Sequence, residues 1–305
     1  MRNAWLILAC SLFGWTQSMP PTGTPARIIV TMGHLYSQNT PSLTRVDLTV
    51  TQEFEPLPIT NLTPLRGDRA ALEMFILVDN CSNCEPGSKF EELRKFISSQ
   101  PATTTIGVAY IQNGRLEIAE KPTADRDRAI KALSAPTGSQ PANPFNALAE
   151  LIKTWPPNSS RHAVLMISNG IDPAAADRVQ DKSAEAALEA AQLAGVTVYA
   201  IYHPSADYEA ADYTKLYAGQ LLLAHIGYET GGEAYFTGFG PMRSIAPFLA
   251  DIADHLANQY VLEFLARPGE ASGTLQDVRV KCNLQDVEIM VPGRVLVPSV
   301  TEKRK

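Results

Sequence analysis

One stretch of sequence decides the fold: Leu72-Glu73-Met74-Phe75-Ile76-Leu77-Val78-Asp79-Asn80-Cys81-Ser82-Asn83-Cys84. Its continuous run of bulky apolar residues predicts a strand that is buried on both faces, as in a parallel sheet. The run ends in Asp79 and a polar loop, and the residues that follow predict a helix with Phe90, Leu93 and Ile97 on its buried face. Ligands of open parallel sheets bind just beyond the carboxyl ends of the strands, so Asp79 is expected at a binding edge.

The same alternation of strand and helix continues downstream. Further strands are predicted at Thr105–Ile111, Ala163–Ile167 and Val196–Tyr202. Helices are predicted at Ala124–Leu133, from Asn143-Pro144 onward, at Ala184–Ala194, at Lys215–Glu229 and around Phe248–Leu256. Repeated units of this kind predict the α/β class, with a doubly wound and mostly parallel sheet.

The two ends of the chain have a different, all-β character. Arg45–Thr51 alternates strictly, which places Val46, Leu48 and Val50 on one buried face, and Val278–Cys282 alternates in the same way. Neither segment is long enough to bury its apolar face alone. We therefore expect these N- and C-terminal β segments to pack together into one small β-sandwich that flanks the α/β domain.

Length and composition fit a globular protein. The chain has 305 residues, is 45% hydrophobic and 19% charged, and carries a formal net charge of -6. It contains no run of Lys and Arg, which argues against a nucleic-acid partner. The predicted organisation is a signal peptide (1–18), an N-terminal β segment (19–69), an α/β domain (70–258), a C-terminal β segment (259–298) and a tail (299–305).

The first residues have the pattern of a secretory signal peptide. A short basic segment with Arg2 precedes the apolar run Ala4–Trp15, and small residues of Thr16-Gln17-Ser18 stand at the cleavage positions. The apolar run is too short for a transmembrane helix. The pattern therefore predicts an exported protein, periplasmic or secreted. A lipoprotein anchored at Cys10 is a less favoured alternative, because few apolar residues precede that cysteine.

Cysteine and histidine patterns leave few options for catalysis. Cys81 and Cys84 form a C-x-x-C motif, which in an exported protein favours a small structural disulfide. A thioredoxin-like redox motif is the alternative, although Glu85-Pro86-Gly87 separates Cys84 from the capping residue of the helix, whose N-terminus would stabilise a thiolate. The histidines show no zinc-ligand spacing, and no nucleophile-elbow or phosphate-loop motif follows a strand. The sequence thus predicts a protein that is not an enzyme.

Several segments together resemble a known family. They are Phe75–Asp79, Val164–Gly170 with Asp172, Thr230–Phe236, and Gln259–Phe264 followed by Val278–Val280. In their order and spacing the chain resembles the von Willebrand factor type A domain, and more closely the VWFA-related domain family of exported bacterial proteins, best represented in acidobacteria. The resemblance covers about residues 70–258 and implies a protein-interaction fold with a metal-ion-dependent adhesion site.

The ligand positions of that adhesion site are only partly kept. In the family the site uses Asp-x-Ser-x-Ser, a later Thr and a further Asp. Here Asp79 matches the first position, but the others hold Cys81, Asn83, Ala142 and, in the triplet that begins at Ser168, Asn169. Mg²⁺ prefers charged oxygen ligands, and two carboxylates have become one. The resemblance therefore implies a degenerate site, and no metal cofactor is expected.

These observations together predict an exported, non-enzymatic interaction module for adhesion or scaffolding. Its protein partner, of unknown identity, is expected to dock on the loops Asp79–Cys84, Pro141–Asn143 and Ser168–Asp172. Two alternatives stay open: a thiol–disulfide oxidoreductase using Cys81 and Cys84, and a Mg²⁺-dependent adhesion domain.

A tyrosine-rich stretch is expected near one end of the sheet; its members are Tyr202, Tyr208, Tyr213 and Tyr217. These side chains either pack in the core or at the rim, or they contact a partner. The second option is open because tyrosine is enriched at interfaces.

Overall fold

The computed structural model of this chain describes residues 23–34, 42–79, 87–112, 115–134, 143–155, 161–172, 181–203, 213–236, 238, 243–267 and 273–298. The α-helices are α1 (Gly87–Ser99), α2 (Arg126–Ala132), α3 (Pro144–Ile152), α4 (Lys182–Ala194), α5 (Tyr213–Glu229) and α6 (Ala246–Ala257). The strands are β1 (Thr24–His34), β2 (Leu48–Gln52), β3 (Glu55–Leu57), β4 (Ile59–Pro64), β5 (Leu72–Asp79), β6 (Thr104–Gln112), β7 (Arg115–Thr123), β8 (Arg161–Ser168), β9 (Val196–Tyr202), β10 (Ala234–Tyr235), β11 (Gln259–Ala266), β12 (Thr274–Asp277), β13 (Arg279–Cys282), β14 (Val287–Met290) and β15 (Arg294–Val297).

The largest sheet in the described part of the chain has six strands, in the order β10-β9-β8-β5-β6-β7. β5 lies inside the sheet and pairs in parallel with β6 on one side and β8 on the other. Edge strand β7 is antiparallel to β6, whereas β8, β9 and β10 run parallel to one another. The predicted doubly wound, mostly parallel sheet is confirmed. Its strand order reverses between β5 and β8, and binding sites of such sheets lie beyond the carboxyl ends at that point.

The apolar stretch of β5 is explained by the two layers of helices that cover it. Met74, Ile76 and Val78 pack into a cluster with side chains of α1, α2 and α6. Phe75 and Leu77 point the other way, into a second cluster with α3, α4 and α5. Because successive strand residues face opposite sides of a sheet, burial on both sides requires an uninterrupted apolar run.

The two β segments at the ends of the chain pair with each other. β1 is antiparallel to β11, from Thr24 opposite Ala266 to Thr31 opposite Gln259, and it also pairs with β14. β2 pairs with β13 and β3, and β4 pairs with β11. These strands share one apolar cluster, with members such as Val30, Val50 and Leu262. The expected joint packing of the two segments is confirmed, while the exact residues that bound each domain stay a prediction.

The strand predicted at Arg45–Thr51 begins later than expected. Arg45–Asp47 forms a 3₁₀ turn, and Val46, expected to be buried, is 86% exposed. Asp47 accepts a hydrogen bond from the Thr44 N–H at 2.8 Å, and its own N–H donates to Thr44 O at 3.1 Å. Such local hydrogen bonds of Thr and Asp compete with strand pairing. Leu48 and Val50 are buried in β2, as predicted.

No helix among the described residues has both the length and the apolar character that crossing a bilayer requires. The predicted signal peptide, including Cys10, lies outside the described residues.

Candidate functional site

The candidate site is built at the ends of β5 and β8, where the strand order reverses. The parallel register sets Val78 beside Ile167, so the next residues, Asp79 and Ser168, emerge side by side. The Ser168 hydroxyl donates a hydrogen bond of 2.6 Å to Asp79 Oδ2. Two positions that the sequence assigned to the degenerate metal site are thus brought into contact.

The electrostatics of Asp79 are set by burial. Although part of the residue surface remains exposed, burial of the carboxyl group raises the pKa of Asp79 to about 7, and the hydrogen bond from Ser168 only partly opposes this. In the absence of a bound cation, Asp79 is therefore protonated to a large extent at neutral pH.

The loop after β8 is fixed by its own hydrogen bonds. The Gly170 N–H donates to Ser168 Oγ at 3.0 Å, and the Ile171 N–H donates to Asn169 Oδ1 at 2.9 Å. The amide oxygen of Asn169 is therefore already used within the loop. This local bond is the usual behaviour of Asn in a turn. The neutral Asn169 amide stands where the resembled family has its second acidic ligand.

Gly170 lets this loop approach α5 very closely. Its φ is +67°, a left-handed conformation that favours glycine. A Cβ atom placed there would lie 2.4 Å from the carbonyl oxygen of Gly219 on α5. Since both positions lack a side chain, the loop rests directly on the helix backbone.

Asn143 joins the start of α3 to the same loop. Its Oδ1 caps the helix by accepting from the N–H groups of Phe145 and Asn146. Its Nδ2 donates to Asp172 Oδ2 at 2.6 Å and to Ser183 Oγ at 2.9 Å. We call the surface formed by Asp79, Asn143 and Ser168–Asp172 the carboxyl rim.

The remaining predicted site residues, Cys81, Asn83, Cys84 and Ala142, lie outside the described residues. The possible disulfide and the redox alternative therefore stay predictions, as does the expected bonding of Asp79 to N–H groups of its own loop. The described ligand positions offer one carboxyl, one hydroxyl and one amide oxygen that accepts from the Ile171 N–H. This set supplies one carboxylate where the site of the resembled family supplies two, so it offers Mg²⁺ less charge.

Two residues near this edge were missed from the sequence. The backbone N–H of His203 donates to the backbone carbonyl oxygen of Ser168 at 2.9 Å. The ring Nε2 of His203 lies 2.6 Å from Nζ of Lys89 on α1. Residues 89 and 203 are far apart in sequence, and only their positions at the start of a helix and the end of a strand could have suggested that they meet.

The outer face of α5 carries an apolar stripe that begins near the carboxyl rim. Its residues, spaced so that they share one face of the helix, are Tyr213 (75% exposed), Tyr217 (55%), Leu221 (38%) and Tyr228 (74%). The opposite face is buried against the sheet through residues such as Leu216 and Leu223. By contrast Tyr202, grouped with these tyrosines in the sequence, is a core residue.

Comparisons with known proteins find similar solved structures at low sequence identity. No protein-family profile and no curated protein sequence matches the chain. Among solved structures, an aerotolerance-related membrane protein from Bacteroides fragilis NCTC 9343 aligns at 13% identity over 61% of this chain and 98% of that one, with a TM-score of 0.43.

Two further solved structures give similar values. The vWF domain of the type V pili tip protein Mfa5 from Porphyromonas gingivalis aligns at 9% identity over 60% of this chain and 94% of that one, with a TM-score of 0.44. Proximal thread matrix protein 1 from the mussel byssus aligns at 13% identity over 63% and 46% of the two chains, with a TM-score of 0.43.

Proposed function

We propose that this chain, whose fold is von Willebrand factor A-like, is an exported, non-enzymatic protein-interaction module. In this proposal it serves adhesion or scaffolding, and a protein partner docks on the carboxyl rim without a bridging metal ion. The observation that carries the proposal is the pair of exposed tyrosines, Tyr213 and Tyr217, at the end of α5 that adjoins the rim.

Exposed tyrosines at this position are suited to binding a protein. Tyr213 and Tyr217 are 75% and 55% exposed and stand one helical turn apart. Tyrosine offers a large apolar surface with a polar end, and it is enriched at interfaces and among their energetically dominant residues. Loops at the carboxyl ends of the strands add polar groups around this apolar centre, which is the usual composition of an interface.

A catalytic role is disfavoured by the state of the groups at the rim. Ser168 is 1% exposed, and its hydroxyl hydrogen is donated to Asp79. A serine nucleophile must reach a substrate as well as a base. Asp79 and Ser168 are therefore assigned a structural role, in which they hold the ends of β5 and β8 together.

Export is proposed from the signal-peptide pattern of residues 1–18, which places the mature protein in the periplasm or outside the cell. Binding without a metal ion is proposed from the donor set of the rim: Asp79 supplies its carboxyl group, whereas position 169 holds a neutral amide whose oxygen accepts from the Ile171 N–H.

The proposal is tested by capturing partners from an envelope extract on the immobilised mature protein, in the presence of a chelator. The variant Tyr213→Ser with Tyr217→Ser should lose the captured protein. The matched control is Tyr228→Ser, which removes an equally exposed tyrosine about 17 Å or more farther along the same helix. Capture that survives the double variant, or that needs Mg²⁺, would refute docking at the carboxyl rim without metal.

A further inference from the structure

A second cluster of polar side chains lies at the other side of the sheet, beside edge strand β10. Glu233 directly precedes β10, while Asp251 and His255 stand one turn apart on α6. β10 and β5 are separated by β9 and β8, which places this cluster about 14 Å or more from Asp79 at the usual strand spacing. The cluster is therefore independent of the carboxyl rim.

The hydroxyl of Tyr235 stands between the three side chains. Tyr235 Oη lies 2.8 Å from Asp251 Oδ2, 3.5 Å from Glu233 Oε2 and 3.4 Å from His255 Nδ1. The histidine also approaches both acids, with Nδ1 3.9 Å from Glu233 Oε2 and Nε2 3.8 Å from Asp251 Oδ2. One ligand atom from each of the three residues lies within 4.8 Å of the others.

The groups that meet here include more acceptors than the tyrosine can serve. A phenol has one hydrogen to donate, whereas two carboxylates and, in a neutral ring, the imidazole Nδ1 all accept. Asp251 and Glu288 both lie near Glu233, so negative groups converge on this point. A cation that binds between them would remove that repulsion.

The surroundings fix the histidine but leave the acids able to move. His255 is 6% exposed and stacks on Tyr199, with ring centroids 6.2 Å apart. Its Nε2 lies close to β1: a Cβ atom added to Gly33 would lie 3.5 Å from this nitrogen. The Glu233 and Asp251 side chains are 46% and 49% exposed. A rigid nitrogen ligand with two mobile carboxylates at the surface gives an ion both a preformed contact and a route of entry.

We propose that Glu233, Asp251 and His255 bind a divalent transition-metal ion of the Zn²⁺ class, with the Tyr235 hydroxyl or a water as the fourth ligand. One imidazole nitrogen and two carboxylate oxygens suit such an ion better than Mg²⁺, which prefers oxygen ligands. Tetrahedral Zn²⁺ with bonds of about 2.0–2.2 Å needs ligand atoms roughly 3.3–3.5 Å apart. Glu233 Oε2 lies 3.9 Å from Nδ1 of the ring and Asp251 Oδ2 lies 3.8 Å from Nε2. One of the two exposed acids must therefore turn toward the ring nitrogen that holds the ion, starting from a cluster whose ligand atoms lie within 4.8 Å of one another.

Bound metal would tie α6 to the edge of the sheet, next to the β segments. Gly33 on β1 pairs with Glu288 on β14, and both flank the cluster. The site therefore sits where the α/β part of the fold meets the strands contributed by the chain ends.

The competing explanation is an ion pair in which a protonated His255 neutralises the acids without any metal. Calorimetric titration of the chelator-treated mature protein with Zn²⁺ separates the two. If the metal binds here, Zn²⁺ binding should be saturable, and its affinity should fall at least tenfold in Glu233→Gln and in Asp251→Asn. Losing a residue that only positions a metal ligand already costs about tenfold in affinity. The double variant should lose more than either single variant. Both substitutions are nearly isosteric and at exposed positions, and circular dichroism checks their fold.

Two control variants locate the binding. Asp254→Asn removes an exposed carboxylate of α6 that is not a member of the cluster and should leave Zn²⁺ affinity unchanged, as should Asp79→Asn at the carboxyl rim. Bound Co²⁺ should show the visible absorption of a tetrahedral site in the wild-type protein and in both controls, and the double variant should lose it. Failure of the wild-type protein to bind Zn²⁺, or equal binding by the double variant, would overturn the proposal.

Discussion

Asp79 is the residue on which the interpretation of the carboxyl rim depends. It occupies the matching acidic position of an adhesion site, yet burial raises its pKa to about 7 and its described partner is the Ser168 hydroxyl. A carboxyl group in this state stabilises the rim best when it is protonated. The sequence predicted the position of Asp79 correctly from the end of an apolar run, but the pKa depends on burial by residues distant in sequence.

The pH dependence of stability follows from that pKa. The ordinary value is 3.8, so between about pH 4 and pH 7 the unfolded chain loses the proton while the folded chain keeps it. The free energy of unfolding should therefore fall as pH rises through this window, by roughly 4 kcal/mol at most from this group. Urea unfolding from pH 4 to pH 8 should show a smaller decline in Asp79→Asn; identical profiles would contradict the buried carboxyl.

At the scale of elements, the central strands were predictable and the edges of the β segments were not. β5, β8 and β9 are covered on both faces, so each consists of a continuous apolar run that is visible in the sequence. Val46 follows an alternating pattern, but local hydrogen bonds between Thr44 and Asp47 set the backbone instead. β12 and β15 went unpredicted because their short segments are only partly buried.

The contact between the loop after β8 and α5 gives a sharp prediction at this scale. Gly170→Ala should destabilise the fold by at least about 3 kcal/mol, because a left-handed residue gains a Cβ that meets Gly219 O at 2.4 Å. Gly195→Ala is the matched control, with φ +64° but open space around it, and should cost about 1 kcal/mol. Equal losses in chemical denaturation would show that the loop does not rest on the helix.

At the scale of the whole molecule, the strands contributed by the chain ends depend on one another. β1 pairs with β11 and β14, and β2 pairs with β13 and β3. Joint packing could be predicted because each segment had one apolar face and no partner of its own. The register of β1 with β11 and β14, and of β2 with β13, could not be predicted, since these partners are more than 200 residues apart. The sequence also showed no sign of the cluster formed by Glu233, Asp251 and His255. These residues come from two separate parts of the chain, and their sequence spacing matches no known metal-binding motif.

A truncation tests this mutual dependence. Removal of residues 268–305 deletes the strands β12–β15, which leaves β2 paired only with the short β3. A two-stranded hairpin is marginal in water, so the amides of β2 should lose protection from hydrogen exchange. Those of β5, inside the six-stranded sheet, should keep theirs. Undiminished protection of β2 would mean that the two β segments do not share one folded unit.

The proposed function requires the carboxyl rim to bind a protein without Mg²⁺. The melting temperature of the mature protein across millimolar Mg²⁺ tests this requirement, with a repaired variant as the positive control. That variant restores the missing ligand types of the resembled family and removes the remaining thiol of the motif; its changes are Cys81→Ser, Asn83→Ser, Cys84→Ser, Ala142→Thr and Asn169→Asp.

An ion that does not bind the native state adds no stability. The natural sequence should therefore melt at the same temperature with and without Mg²⁺, whereas the repaired variant should melt higher with the ion. A clear rise in the melting temperature of the natural sequence, lost in Asp79→Asn, would contradict the account and make Asp79 a metal ligand.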